Sequence, residues 1–386
     1  MAASEGAVVL PTFTLAYCEE DWAARAVVAL AAGSPRLAAV AAPAAADVTV
    51  RSDWGRCSLP PPADGSPTPL NVRIDMEPRP YTPNVNHPRL STVAVPVAEG
   101  ESDGGPAGAP KPPHIHIPYV LFSFPERHPS LVDPSLLVRP PSFNATAVAA
   151  KKTRLAAWAS RHCADYSSGE LLTRTSAVRA LTAAGLPIDG LSTCDTNRTA
   201  LREVSAGVPP ELDDSRSQVV WWFRDYRFTV AAENAAVPGY ITEKIVNSYL
   251  AETVPIYWGA PDFPAYFNAD AVVMCEPGPA DDWASCIDEV RTLAEDPVAY
   301  AAKLATPLLH GNTLPRWLTW EPYAEALVQA LEDAGVPGGA GQVGTAFEGG
   351  TTADAGATAV DPVAGTEDGE PATVLVPTQE PVAAGE

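Results

Sequence analysis

The residues best suited to chemistry lie in one stretch, Arg227–Gly259, which reads RFTVAAENAAVPGYITEKIVNSYLAETVPIYWG. Apolar strand-like residues give way to a polar loop with Gly239, then to a helical run, then to a second apolar strand. At the junction stand Glu233, Asn234, Tyr240, Thr242, Glu243 and Lys244. In open α/β sheets ligands bind where loops leave the carboxyl ends of strands for helix N-termini. Thr242 suits an N-cap, and the first-turn amides behind it carry partial positive charge. Lys244 adds a full positive charge at the same end. It opposes the helix dipole there, a mismatch that a bound diphosphate relieves. Asn234 and Glu243 supply hydrogen-bond partners for ribose or sugar hydroxyls. An ordinary capped surface helix with a solvated Glu-Lys pair carries the same letters, so spacing alone leaves both readings open.

Strands and helices must hold that junction. The second half of the chain alternates them: strand at Arg154–Ser160, helix at Leu171–Ala184, strand material at Gln218–Phe223 and Arg227–Ala231, helix at Thr242–Glu252. Strands at Val254–Trp258 and Ala271–Met274 follow, then a helix at Asp282–Glu295. A last segment, Trp317–Leu331, sets Trp320, Tyr323, Leu327 and Leu331 on one helical stripe. The first half offers strand-like runs at Phe13–Tyr17, Asp47–Arg51, Leu70–Met76 and Tyr119–Phe124 between Pro-rich turns, and a helix at Asp21–Ala32. This alternation predicts an α/β fold built on mostly parallel sheets covered on both faces.

Composition narrows the function classes. With 386 residues the chain has room for two ordinary domains. A net charge of −22 argues against a polyanionic partner such as nucleic acid. Local cations still leave room for a phosphate ligand. The 41 prolines and 27 glycines point to long loops. The Gly/Pro insert Val97–Pro113 and the acidic, Lys/Arg-free segment Val336–Glu386 carry too little apolar surface to offset their ordering entropy. The second is expected to be a disordered tail, removable after about Leu331. Six scattered cysteines form no CxxC pair, so neither a disulfide scaffold nor structural zinc is expected. His114-Ile-His116 has no third ligand in sight and reads as loop or edge-strand histidines. No apolar run reaches 18 residues, so neither a transmembrane helix nor a signal peptide is expected. Asn144-Ala-Thr146 and Asn197-Arg-Thr199 are glycosylation sequons of a kind found in secretory proteins.

The string Glu233-Asn234, five residues, Tyr240-Ile241-Thr242-Glu243-Lys244, then Val254-Pro255-Ile256-Tyr257-Trp258-Gly259 resembles the donor-site signature of the α1,3/4-fucosyltransferase family. Phe228-Thr229-Val230 ahead of it and Phe267-Asn268 after it fit the same pattern. Arg174, seven residues before Leu181 and fifteen before Asp189-Gly190, resembles the family's phosphate-binding arginine, with Arg179 as its neighbouring competitor. Ser160 matches a serine at a strand end. Asn71–Glu77 followed by Pro78 resembles the strand whose terminal glutamate is the family's catalytic base. A carboxylate there could take the proton of an attacking hydroxyl. Asp75-x-Glu77 also reads as an acidic metal-binding pair. Between Arg89 and Pro118 the chain departs from the family, keeping only Pro118-Tyr119.

The resemblance implies a GT-B type fold of two facing Rossmann-like domains. The first, residues 46–145, follows a poorly defined segment 1–45 and serves the acceptor; the second, 150–335, binds GDP-fucose and is followed by the tail, 336–386. It implies inverting transfer of L-fucose from GDP-fucose to a glycan hydroxyl, O3 of GlcNAc in an α1,3 linkage, in protein glycosylation. Glu77 would be catalytic, and Arg174, Glu233, Asn234, Tyr240, Glu243 and Lys244 donor-binding. No cofactor is required on this reading, a divalent metal being at most stimulatory, and the location is the Golgi lumen. Another nucleotide sugar as donor keeps the same fold, and a catalytically silent glycan- or nucleotide-binding relative fits the altered 89–118 region and the absence of a visible membrane anchor.

Overall fold

The computed structural model describes residues 11–17, 22–40, 46–52, 70–75, 89–93, 114–122, 133–160, 174–191, 197–212, 215–234, 236, 238–279, 282–336 and 338. Two sheets organise them, and every strand pairing within each sheet is parallel. The first holds β1 (Phe13–Tyr17), β2 (Leu37–Ala39), β3 (Val48–Ser52), β4 (Leu70–Asp75), β5 (Arg89–Val93) and β6 (His114–His116), in the order β2-β1-β3-β4-β5-β6. The second holds β7 (Arg154–Trp158), β8 (Ile188–Gly190), β9 (Tyr226–Ala232), β10 (Val254–Trp258) and β11 (Val273–Met274), in the order β11-β10-β9-β7-β8. The alternation of the sequence thus does fold as α/β with parallel sheets. The near-continuous apolar runs of β9 and β10 follow from burial on both faces.

Helices α1 (Trp22–Gly33), α2 (Ala145–Ala149), α3 (Arg174–Ala183), α4 (Arg198–Ser205), α5 (Ser215–Phe223) and α6 (Glu243–Leu250) connect or flank these strands. α7 (Phe263–Tyr266), α8 (Ala284–Glu295), α9 (Pro297–Ala305) and α10 (Glu321–Asp333) complete the set. On one side of the second sheet, Phe228, Val230 and Ala232 of β9 pack with Ala177 and Leu181 of α3 and with Val290 of α8. Ala231 of β9 and Ile245, Val246 and Tyr249 of α6 belong instead to a core shared with Phe13, Leu15, Val48 and Val50 of the first sheet. α6 packs on β9 and β10 and against the turns at Tyr119–Phe122 and Pro134–Leu137. Arg139 helps fix it: its guanidinium lies between the rings of Phe143 and Tyr249, at 3.9 and 4.0 Å from their centroids.

Two expected strands are helical. Gln218–Phe223 lies in α5, where Val220 and Phe223, three residues apart, share one buried face with Ala200 and Val204 of α4. The intervening tryptophans conceal that helical period in the sequence. Tyr119–Phe124 begins instead with a 3-10 turn, Tyr119–Phe122, all four residues buried, whose Leu121 N–H bonds back to the carbonyl of Pro118. The fixed φ of Pro118 suits that turn better than a strand. His114 and His116 lie on β6, the edge strand of its sheet. Two buried cysteines, Cys275 and Cys286, are joined in a disulfide that ties the end of β11 to α8.

The expected cut after Leu331 falls inside a folded element. α10 runs to Asp333 and ends in a left-handed Gly335 at φ 67°, with Gly335 N–H on the Glu332 carbonyl and Val336 N–H on that of Leu331. That pair of bonds is a Schellman stop. The helix packs on α1 and β6, and Arg36 reaches Glu332 at 2.5 Å. Gly338 lies against Pro11 and Phe13. The tail beyond 338, the insert 97–113 and Glu77 lie outside the described residues.

Candidate functional site

β7 is followed in sequence by β8 on one side of it, and β9 then returns to its other side. The strand order therefore reverses between β7 and β9, and the crevice beyond their carboxyl ends is where such a sheet takes a ligand. Arg174, at the start of α3, and Asn234, just past β9, meet at that point. An Nη1 proton of Arg174 is donated to Oδ1 of Asn234 over 2.6 Å. Asn234 Nδ2 in turn donates to the hydroxyl of Tyr240 over 3.1 Å. Arg174, Asn234 and Tyr240 thus form one bonded series. Arg174 is buried, while Arg179 of the same helix is exposed.

The edge of the Tyr240 ring meets that of Tyr119 at 5.7 Å and 78° between planes. Tyr119 belongs to the turn after β6, so an aromatic contact from the first sheet's side reaches the loop of the second. Of the Pro118-Tyr119 pair singled out in the sequence, the tyrosine makes this contact.

Glu233 directly follows β9 and has no exposed surface. Its Oε1 accepts the Thr242 N–H at 2.8 Å and its Oε2 accepts the Thr242 hydroxyl at 2.6 Å. Thr242 does stand at the N-cap of α6, but its hydroxyl turns to Glu233 and makes no bond to the helix amides. Lys244 Nζ lies 3.1 Å from Glu233 Oε2, 3.3 Å from Glu243 Oε1 and 2.9 Å from Thr242 Oγ1. The lysine that opposes the helix dipole is thus balanced by two carboxylates. Burial works against its charge, yet Glu233 and Glu243 outweigh burial and hold its pKa above the ordinary lysine value. Burial raises the Glu233 carboxyl, with the neighbouring ammonium pulling the other way.

Glu233 fits because residue 259 is glycine. A Cβ there would come within 2.5 Å of Glu233 Cγ and 2.8 Å of the Tyr257 hydroxyl. Being enclosed, Glu233 acts through Thr242 and Lys244 and has no surface of its own for a ligand. Glu243, in the first turn of α6, is partly exposed beside it. Among the described residues no group of three or more His, Cys, Asp or Glu side chains is placed to hold a metal. An arginine at a switch point, a lysine at a helix start and partly exposed amide and carboxylate groups can together receive a phosphorylated, hydroxyl-rich molecule.

Residues 149–301 match the family model for the C-terminal domain of glycosyltransferase family 10, the fucosyltransferases. That range contains both bonded groups. An α-(1,3)-fucosyltransferase of Helicobacter pylori is 44% identical over 48 residues, 12% of this chain and 10% of that protein. An α-(1,4)-fucosyltransferase of Arabidopsis thaliana is 27% identical over 123 residues, 30% of each chain. Both likenesses are local and span less than a third of those proteins. A crystal structure of an α1,3-fucosyltransferase with GDP shares the fold, with a TM-score of 0.50 and 17% identity over 86% of this chain and 92% of that one. The segment that carries the crevice is the segment that matches this family model, and through it the chain is similar to the fucosyltransferases.

Proposed function

We propose that the chain transfers L-fucose from GDP-fucose to a hydroxyl of a glycan acceptor, with inversion, at O3 of a protein-linked GlcNAc in an α1,3 linkage. The observation that carries this reading is the Arg174–Asn234–Tyr240 series at the switch point, beside the Lys244 ammonium. In the reaction the acceptor oxygen attacks the anomeric carbon from the face opposite the diphosphate, and Glu77 takes its proton. The bond from that carbon to the diphosphate oxygen breaks and GDP leaves. Arg174 and Lys244 meet the charge that grows on the leaving diphosphate, with no metal required. All three N–H bonds of Lys244 are occupied here, and the longest, to Glu243, is the one a phosphate oxygen would replace. Glu243, partly exposed beside it, would accept from sugar hydroxyls.

A GT-B arrangement suits this chemistry, with the acceptor side, 46–145, facing the donor side, 150–335, across a cleft. Location in the Golgi lumen is supported by the Cys275–Cys286 disulfide and by two exposed sequon asparagines, Asn144 and Asn197, each capping a helix. No described helix is long and apolar enough to cross a membrane.

The test is GDP release from GDP-fucose, and from other nucleotide sugars, with a panel of N-glycan and N-acetyllactosamine acceptors. Fucose-specific release is expected. Release only with another nucleotide sugar changes the donor, and tight GDP binding without release for any acceptor makes the chain a silent binder. Glu77→Gln should keep GDP-fucose binding and lose roughly 10²–10⁴ in turnover, the usual effect of removing a general base. Normal turnover in that variant would move the base elsewhere, to Asp75 or Glu126.

A further inference from the structure

The loop that presents Tyr240 is held by a carboxylate lying outside it. Asp262 occupies the N-cap position of α7, where an aspartate ordinarily accepts from the amides of its own helix. It makes no such bond. Its Oδ1 instead accepts the N–H of Gly239, 23 residues earlier, over 2.8 Å. Gly239 is buried and sits at φ 73°, in the left-handed region that glycine enters without a Cβ penalty. Its amide therefore needs a partner inside the fold, and Asp262 is that partner.

The consequence falls on the next residue. Tyr240, also buried, receives the Asn234 bond on its hydroxyl and the Tyr119 ring on its edge. Glu233 fixes the far end of the same loop through Thr242. The loop is thus clamped at its middle by Asp262 and at its end by Glu233, and Tyr240 lies between the clamps.

We propose that Asp262 is a positioning residue for nucleotide binding: by fixing the turn at Gly239 it sets Tyr240, and through Tyr240 the Asn234–Arg174 pair. This rests on the reading that the crevice takes the diphosphate of GDP-fucose. Asp262 touches no ligand on this account. Only acceptance of one N–H is asked of it, and the side-chain oxygen of asparagine can supply that equally.

The experiment compares Asp262→Ala and Asp262→Asn with the wild-type chain in three measurements: amide exchange over residues 236–241, GDP affinity, and separate KM values for GDP-fucose and acceptor. Asp262→Ala should speed exchange in that loop and weaken GDP by about tenfold, the size of one lost internal hydrogen bond passed on to binding. Donor KM should rise and acceptor KM stay put. Asp262→Asn should restore exchange and affinity to within about twofold of wild type, a rescue that shows the fold is intact. Unchanged exchange and unchanged GDP affinity in Asp262→Ala overturn the proposal, as does an asparagine variant as impaired as the alanine one. Should the wild-type chain bind no GDP, the donor reading falls. Loop exchange in the two variants would then still decide whether Asp262 fixes the Gly239 turn.

Discussion

The ammonium of Lys244 lies 3.1 Å from a carboxylate oxygen of Glu233, a residue with no exposed surface. A charge so enclosed persists only while it is paired and hydrogen-bonded. Lys244→Ala removes the cation and leaves Glu233 with the two Thr242 bonds alone. The variant should lose roughly 3 kcal/mol of stability, as breaking buried pairs commonly does. It should also bind GDP more weakly than wild type.

The same variant carries a pH signature. Burial already raises the Glu233 pKa, and losing the ammonium raises it further. Where the folded chain holds a proton that the unfolded chain has released, stability falls as pH rises. The gap between wild type and Lys244→Ala should therefore be widest at the alkaline end and narrow as pH falls and Glu233 accepts a proton. Urea unfolding of both proteins across a range of pH checks it. A gap that stays constant with pH would show that the lysine does not pair with an ionised Glu233.

Gly259→Ala should disturb the site without touching any ligand. The new methyl would overlap the Glu233 side chain, whose exit is blocked by its own burial. Overpacking of this kind costs about 1–3 kcal/mol. Because Glu233 holds both Thr242 and Lys244, GDP affinity should fall along with melting temperature. Wild-type affinity in Gly259→Ala would mean that Glu233 can move without moving Lys244.

Much of this site was legible in the sequence because strand, loop, helix and strand follow one another within Arg227–Gly259. Local periodicity and turn chemistry fix those elements, and β10 runs over Val254–Trp258 as expected. Spacing to Leu181 favours Arg174 over Arg179, and in the fold the first is buried and the second exposed. What stayed hidden rests on contacts distant in sequence. Asp262 holds Gly239 across 23 residues, and Arg36 holds Glu332 across 296. Neither leaves a periodic trace. α5 was misread for a different reason: its run of β-branched and aromatic residues suits a strand, and only packing against α4 selects the helix.

Lys152 offers a second pH test away from the site. Its Nζ donates to the carbonyls of Arg224 and Ala251, at 2.6 and 2.8 Å, the residues that follow α5 and end α6. Burial pushes its pKa down to about 8, against the pull of Glu252 and Asp225. Between about pH 8 and about pH 10 the unfolded chain keeps this proton and the folded chain does not, so the lysine's contribution to stability rises with pH. Lys152→Met should abolish that rise, leaving wild type increasingly favoured over the variant as pH climbs. Parallel unfolding curves at every pH would show that Lys152 keeps an ordinary pKa in the folded protein.

The last prediction concerns where the folded chain stops. Ending it after Leu331 removes the final residues of α10, the Gly335 turn, the Val336 contact and the Arg36–Glu332 pair together. Leu331 itself has no exposed surface, and it would become a frayed terminus against α1 and β6. Ending the chain after Gln342 keeps all of these. The shorter form should be destabilised by about 2 kcal/mol, the sum of a lost cap and lost apolar cover. The longer form should melt with the full-length protein. The effect should be felt first at the N-terminal sheet, because α10 packs there on α1 and β6. Amide exchange over β1 and α1 should rise in the shorter form while α6 stays protected. If instead both truncations melt like the full chain, the Schellman stop and the Glu332 contact contribute nothing measurable. If the longer form also loses stability, residues beyond 342 add to the fold.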